Sequence, residues 1–242
     1  MKNIFFYVIA CCFLTTCDVK PRANNQQHST IAVSVILDVT DPRSYWPGPD
    51  QLLQLFHFKQ TPEAEGLFRL RTISDKRLTP IISYRLADAQ SMEKENRDDD
   101  PQFRNKNVVA FYNTVRKSMN DFYSQADTTQ SLSNSECYRA ITDELTFLSE
   151  TKSDQRTLII ASDLMEKSDL QDCYTANLSN SKAIATLFEK ANLLPQNLSE
   201  ITVIFLFNPR DRNEDKKFSL MVEAYKILLL SKGAEIKVQA NL

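Results

Sequence analysis

IAVSVIL, at residues 31–37, is a nearly continuous apolar run that is rich in β-branched side chains. Two further runs have the same character, TLIIA at residues 157–161 and ITVIFLF at residues 201–207. A half-exposed strand alternates apolar and polar residues, whereas a strand buried on both faces has a continuous apolar run. The three runs therefore predict the central strands of a parallel sheet between two layers of helices.

Two other stretches have the alternating pattern of strands nearer the edge of a sheet. Residues 67–73 (LFRLRTI) and 81–86 (IISYRL) interleave apolar side chains with arginine, and the connection around Lys76 and Arg77 is short. Because a parallel crossover needs a dozen residues or more, we expect these two strands to pair antiparallel. A last short strand is predicted at residues 235–238.

Helical spacing occurs between the predicted strands. Apolar residues recur every three or four positions in segments that begin near Asp50, after Pro101, near Cys137, near Ile184 and near Phe218. Such spacing is typical of helices that bury one face. Strands that alternate with helices predict an α/β fold of three layers, with a mostly parallel central sheet flanked by helices. We expect one such domain at residues 31–242.

The composition excludes several classes of function. The 242 residues include 29 basic and 31 acidic side chains, for a formal net charge of −2, so we expect no nucleic-acid partner. The 3 glycines are too scattered for a loop that binds a nucleotide phosphate. The 2 histidines, His28 and His57, are too few for a zinc site built from histidines.

The amino-terminal segment predicts export. A basic start precedes an uncharged apolar run at residues 4–14, which is shorter than the roughly 20 residues that a membrane-spanning helix needs. Such a segment is typical of a removed secretion signal, here residues 1–16. Its end, LTTC, resembles the cleavage site of bacterial lipoproteins, whose new terminal cysteine carries lipid. The resemblance implies that Cys17 anchors the protein to the bacterial cell membrane on its periplasmic side, with residues 17–30 as the tether.

Two cysteines remain for the folded domain. Cys11 and Cys12 leave with the predicted signal and Cys17 carries the lipid, so Cys137 and Cys173 are left. A pair of cysteines in an exported chain is most simply a disulfide, because the compartment is oxidising. Two buried free thiols are the alternative.

Polar residues follow each of the three buried strands. The carboxyl ends of parallel strands emerge at one edge of the sheet, and ligands bind where the strand order reverses. We expect these side chains to converge on one crevice: Asp38, Thr40, Asp41, Ser162, Asp163, Asn208 and Asp211. Oxygen ligands without sulfur or imidazole suit a hard cation such as Mg²⁺. The alternative is that each residue only makes a turn or caps the next helix.

The order of these residues resembles that of a von Willebrand factor A domain. That family binds a metal ion through a D-x-S-x-S motif after the first strand, a threonine in a later loop and an aspartate after the fourth strand. Asp38 matches the first aspartate and Thr40 the first hydroxyl residue of the motif. Pro42 stands where the second serine is usual, and the adjacent Asp41 offers a charge in its place.

Two further positions extend the resemblance. Ser133, in the stretch SLSNS, matches the loop threonine, and Asp163 matches the last aspartate, although Leu164 replaces the glycine that often follows it. The resemblance implies a Rossmann-type topology and a degenerate site for Mg²⁺ or Mn²⁺. The ligands that it implies are Asp38, Thr40, Asp41, Ser133 and Asp163.

The function that this resemblance implies is binding. Domains similar to this one use the metal to capture a carboxylate of a partner protein, or serve as scaffolds after losing the metal. A lipid-tethered domain of this kind is expected to hold another envelope protein and to have no catalytic activity. Trp46, Asn208 and Asp211 are candidate partner contacts, since tryptophan is enriched at binding hot spots.

An enzyme is the alternative from another class. Asp38 also resembles the nucleophilic aspartate of haloacid dehalogenase-like phosphate-ester hydrolases. In those enzymes a second aspartate two residues later carries the proton, and here Thr40 takes its place. A serine hydrolase is disfavoured because the chain has no G-x-S-x-G turn. A solute-binding lipoprotein usually has two lobes, whereas this pattern predicts one.

Overall fold

The computed structural model describes residues 29–40, 45–73, 82–87, 101–125, 134–175 and 180–242. In chain order the elements are β1 (Thr30–Asp38), α1 (Pro49–Leu53), a 3-10 turn (Gln54–Phe56), β2 (Glu65–Ile73), β3 (Ile82–Leu86), α2 (Pro101–Gln125), α3 (Cys137–Glu150), β4 (Gln155–Ala161), α4 (Ser181–Lys190), β5 (Ile201–Leu206), α5 (Arg212–Leu230) and β6 (Glu235–Gln239). The predicted signal peptide and Cys17 lie outside the described residues. Within those residues, every helix is too short or too polar to span a membrane.

The strands form one six-stranded sheet in the order β3-β2-β1-β4-β5-β6. All neighbouring strands are parallel except β2 and β3, which pair antiparallel as expected. Helices cover both faces, so the predicted three-layer α/β fold with a mostly parallel central sheet is confirmed. The order reverses between β1 and β4, which is where open sheets of this kind bind ligands.

The two faces of the sheet carry separate hydrophobic cores. On one face, Ala32 and Ile36 of β1 pack with α3, α4 and α5. On the other face, Val33 and Val35 pack with α1 and α2. Every residue of β1 after Thr30 is buried, because both faces of this strand are covered. This double coverage explains the continuous apolar run in the sequence.

The arginines of β2 pair with α3. Glu144 of α3 is fully buried and accepts hydrogen bonds from Ser34 Oγ at 2.7 Å and Arg69 Nε at 2.8 Å. Arg71 places Nη1 3.7 Å from Glu144 Oε1 and Nη2 2.7 Å from Asp143 Oδ2. β3 occupies the edge of the sheet and β2 lies one position inside it. The arginines in the alternating pattern of β2 therefore mark a face that ion pairs to α3 help to bury.

Glu144→Ala removes a carboxylate that Ser34, Arg69 and Arg71 share. We expect the free energy of unfolding to fall by about 3 kcal/mol, because Ser34 and the partly buried guanidinium group of Arg69 lose their acceptor and Arg71 keeps only Asp143. Urea unfolding followed by circular dichroism measures the change. Asp143→Ala is the matched control on the same helix, and because Asp143 is exposed it should cost less than about 1 kcal/mol. Equal losses for the two variants would contradict this account of the network.

Candidate functional site

The polar side chains at the strand ends are grouped around Asp38, the last residue of β1. Asp38 is 1% exposed. Its Oδ1 accepts hydrogen bonds from the Thr40 backbone N–H at 2.8 Å and from the Thr40 hydroxyl at 2.6 Å. Its Oδ2 accepts a hydrogen bond from the Ser162 hydroxyl at 2.6 Å. A side-chain hydrogen bond therefore joins the ends of β1 and β4 where the strand order reverses.

Local turns after the two strands place these side chains. The Thr40 N–H bond to Asp38 closes a turn of the kind that aspartate favours, because its short side chain reaches the backbone two residues on. After β4, Ser162 Oγ accepts the Leu164 N–H and Asp163 Oδ1 accepts the Met165 N–H, both at 2.9 Å. Each strand end therefore turns sharply and keeps its polar side chains at the edge of the sheet.

A third element joins the site through Ser135, which lies just before α3. Its hydroxyl is 3.3 Å from the Thr40 hydroxyl and 3.1 Å from Cys137 Sγ. Its backbone pairs in both directions with Lys167, with N···O distances of 3.0 and 2.9 Å. Four buried side chains from three parts of the chain form one group, which we call the Asp38 cluster: Asp38, Thr40, Ser135 and Ser162.

The structure brings together some of the predicted ligands. Asp38 and Thr40 belong to the cluster, and Asp163 lies directly after its member Ser162. Asp41 and Ser133 lie outside the described residues. Among the described residues of the loop before α3, Ser135 lies beside Thr40. The stretch SLSNS has serines at three alternating positions, so the sequence could not choose among them.

Leu164 occupies the position where the resemblance expects glycine. Its φ is 63°, in the left-handed region that non-glycine residues rarely adopt, and its side chain is fully buried. The turn after β4 therefore keeps the backbone conformation that glycine favours, although the side chain differs. Backbone strain of this kind costs about 1 to 3 kcal/mol and persists where the surrounding packing enforces it.

Trp46 supports the cluster from the face that α1 and α2 cover. Its indole N–H donates to the Asp38 backbone carbonyl at 2.9 Å. Its ring stacks on Tyr123 with centroids 5.4 Å apart and lies 5.8 Å from Phe122. Trp46 is half-buried, so it orders the backbone of Asp38 and leaves part of its surface at the strand-end edge.

The residues after β5 take a different role. Asp211 is the N-cap of α5, where its Oδ1 accepts the N–H groups of Asn213 at 2.7 Å and Glu214 at 2.9 Å. Asn208 is exposed. Within the described residues, no hydrogen bond joins Asn208 or Asp211 to the Asp38 cluster. Asp211 therefore caps the next helix, which is the alternative that the sequence left open.

The polar side-chain atoms of the cluster are all oxygens, which are the ligands that hard divalent cations prefer. Both oxygens of Asp38 already accept hydrogen bonds, so a cation bound to them would compete with these donors. Across the described ranges, no group of three or more His, Cys, Asp or Glu side chains could hold a metal ion. Hydrogen bonds such as those from Thr40 and Ser162 stabilise the negative charge of a carboxylate.

The predicted disulfide between Cys137 and Cys173 is wrong, because both residues are free buried thiols. Cys137 Sγ lies 3.1 Å from Ser135 Oγ, whereas Cys173 Sγ lies 3.9 Å from Met221 Sδ on α5. Burial raises the pKa of Cys137 well above its usual value and that of Cys173 to about 12. An even number of cysteines does not reveal where their side chains point, and here each has its own partner.

Both thiols should resist alkylation in the native protein and react after unfolding. With iodoacetamide at pH 8, we expect no label on Cys137 or Cys173 in the folded chain, because the thiols are buried and protonated. In urea without a reductant, mass spectrometry should find both peptides alkylated. Peptides that stay linked until a reductant is added would show that the disulfide forms after all.

No protein-family model matches the chain, and no curated protein matches it. Among solved structures, the chain is similar to an aerotolerance-related membrane protein from Bacteroides fragilis with multiple mutations to serines. The identity is 11%, the match covers 86% of this chain and 92% of that chain, and the TM-score is 0.33. A likeness this weak adds nothing to what the strand order and the hydrogen bonds establish.

Proposed function

We propose that the chain is a von Willebrand factor A-like binding module that is tethered to the cell envelope and holds a partner protein at the edge around the Asp38 cluster. The observation that carries this proposal is the convergence of β1, β4 and the start of α3 on one hydrogen-bonded group where the strand order reverses. Open α/β sheets bind their ligands at this position. The strand order, with an antiparallel β3 at one edge, is compatible with that fold.

The surroundings of Asp38 favour binding over phosphate-ester hydrolysis. A nucleophilic carboxylate needs an oxygen that is free to attack, whereas both oxygens of Asp38 accept hydrogen bonds. The Thr40 hydroxyl donates to the same carboxylate, so it does not take the role of a second acid-base residue. We therefore propose a module without catalytic activity.

We also propose that the module works without a resident cation. The donors of Thr40 and Ser162 offset the charge of the buried Asp38 carboxylate, as Mg²⁺ or Mn²⁺ would otherwise do. The cluster then acts as a rigid support for the loops that meet the partner. The predicted contact residues Trp46, Asn208 and Asp211 are all at least partly exposed.

Partner binding should survive a chelator and depend on Asp38. We expect affinity pull-down of the lipid-free protein from envelope extract to recover the same partner with and without EDTA. Asp38→Asn should reduce the recovery about tenfold or more, because an amide NH₂ group faces the donors of Thr40 or Ser162 and disturbs the loops. The same variant should lower the thermal midpoint of unfolding, measured by circular dichroism.

Asp154→Asn is the matched control. It makes the same chemical change just before β4, at the opposite edge of the sheet, where the amide oxygen can still accept the Thr30 N–H, so recovery should not change. Calorimetric titration with Mg²⁺ or Mn²⁺ should give no heat. Recovery that EDTA abolishes would replace the cation-free proposal with a metal-dependent one. A phosphatase activity that Asp38→Asn removes, without any recovered partner, would favour the enzyme.

The proposed envelope tether is a lipid on Cys17. Cys17→Ser should move the protein from the membrane fraction to the soluble fraction, because no acyl chains remain to anchor it. Cell fractionation and mass spectrometry of the amino-terminal peptide measure the outcome. Cys12→Ser is the matched control and should stay in the membrane fraction. A Cys17→Ser variant that also stays there would contradict the lipid anchor.

A further inference from the structure

Glu166 is a fully buried carboxyl group in the loop after β4. Its Oε2 accepts the Tyr138 N–H at 2.7 Å, in the first turn of α3. Its backbone carbonyl accepts the Cys173 N–H at 2.8 Å, which folds the loop back on itself. One residue therefore holds together the loop after β4 and the beginning of α3.

This contact lies next to the Asp38 cluster. Lys167, the following residue, pairs through its backbone with Ser135 in both directions. The Ser135 hydroxyl in turn lies 3.3 Å from that of Thr40, which donates to Asp38. A continuous path of bonds therefore leads from the Glu166 carboxyl to the cluster. An opening of the loop at Glu166 would withdraw Ser135 from Thr40.

The groups that face Glu166 do not compensate its charge fully. At the start of α3, Glu136 repels the charge of Glu166 and Arg139 attracts it. The Cys137 thiol and the Tyr138 backbone also face Glu166 from this helix. The Tyr225 hydroxyl faces it from α5, and Ser168 and Cys173 face it from its own loop. Burial is the largest influence and raises the pKa of Glu166 to about 7, against the lowering effect of Ser168 and Tyr138. The group therefore changes charge within the physiological range.

We propose that Glu166 is a pH-sensitive clamp, which holds the loop after β4 against α3 when it is protonated and loosens the Asp38 cluster when it ionises. The consequence for function is that partner binding weakens at alkaline pH, and this consequence rests on the proposed function. The clamp itself is a property of the isolated protein.

The direction of the effect follows from the two protonation equilibria. In the closed loop the pKa of Glu166 is about 7, whereas in an opened, hydrated loop it returns towards its ordinary 4.5. Because the closed state binds the proton more tightly, closure is most stable below pH 4.5 and loses stability as the pH rises through 7. Between pH 5.5 and pH 8, the equilibrium constant for opening should rise roughly 25-fold.

Trp46 is the only tryptophan in the chain and donates to the Asp38 backbone, so its fluorescence reports on the cluster. We expect its emission to titrate with a midpoint near pH 7 in a His28→Gln, His57→Gln background, which removes both histidines. Glu166→Gln in the same background should abolish this transition, because glutamine stays neutral. Glu223→Gln, an exposed site on α5, is the matched control and should leave the transition unchanged.

Hydrogen exchange of the wild-type chain gives a second measurement that does not depend on a folded Glu166 variant. After correction for the intrinsic pH dependence of exchange, protection of residues 135–140 and 162–175 should fall between pH 5.5 and pH 8, while that of β5 stays constant. A tryptophan transition that persists in Glu166→Gln, or constant protection of both segments, would overturn the clamp. Neither measurement involves a partner, so failure here is distinct from failure of the proposed binding.

Discussion

A buried carboxylate at the end of β1 sets the arrangement of the strand-end edge. Removing a carboxylate from water costs several kcal/mol unless donors replace the lost hydration. Asp38 meets this requirement with donors from its own turn and from the end of β4. Both oxygens are then engaged, so the turn after β1 and the turn after β4 cannot move independently. The arrangement of this edge therefore follows from the hydrogen bonds that the buried Asp38 carboxylate needs.

Helix α3 connects this edge to the rest of the molecule. Ser135 joins the Asp38 cluster just before the helix begins, and Glu166 binds the first-turn N–H of Tyr138. In the middle of the helix, Glu144 fastens it to the sheet through Ser34 and Arg69. Polar groups therefore hold this helix at its start and in its middle. Because the close packing around the helix leaves few other positions for it, a local change in the loop after β4 acts on the helix and on Ser135.

The sequence predicted the sheet better than the site. The continuous apolar runs of β1, β4 and β5 identified strands covered on both faces, because burial on two sides leaves no alternation. Asp38 and Thr40 were found because they follow a buried strand directly. The disulfide was predicted wrongly and the serine beside Thr40 was not singled out, because spacing along the chain carries no information about side-chain direction in a loop. No sequence pattern indicated that Glu166 is buried, since a glutamate in a polar loop is usually exposed.

The amino-acid sequence by itself determined the three-layer α/β class, the antiparallel pair at one edge and the strand ends at which polar side chains collect. Hydrophobic periodicity encodes these features locally, so a single chain is enough to infer them. Only the tertiary structure decided that Ser135 and Ser162 complete the Asp38 cluster and that two cysteines remain apart. It also decided that Glu144 and Glu166 are buried. Contacts between residues distant in the chain depend on how the helices pack on the sheet, and no local pattern specifies them.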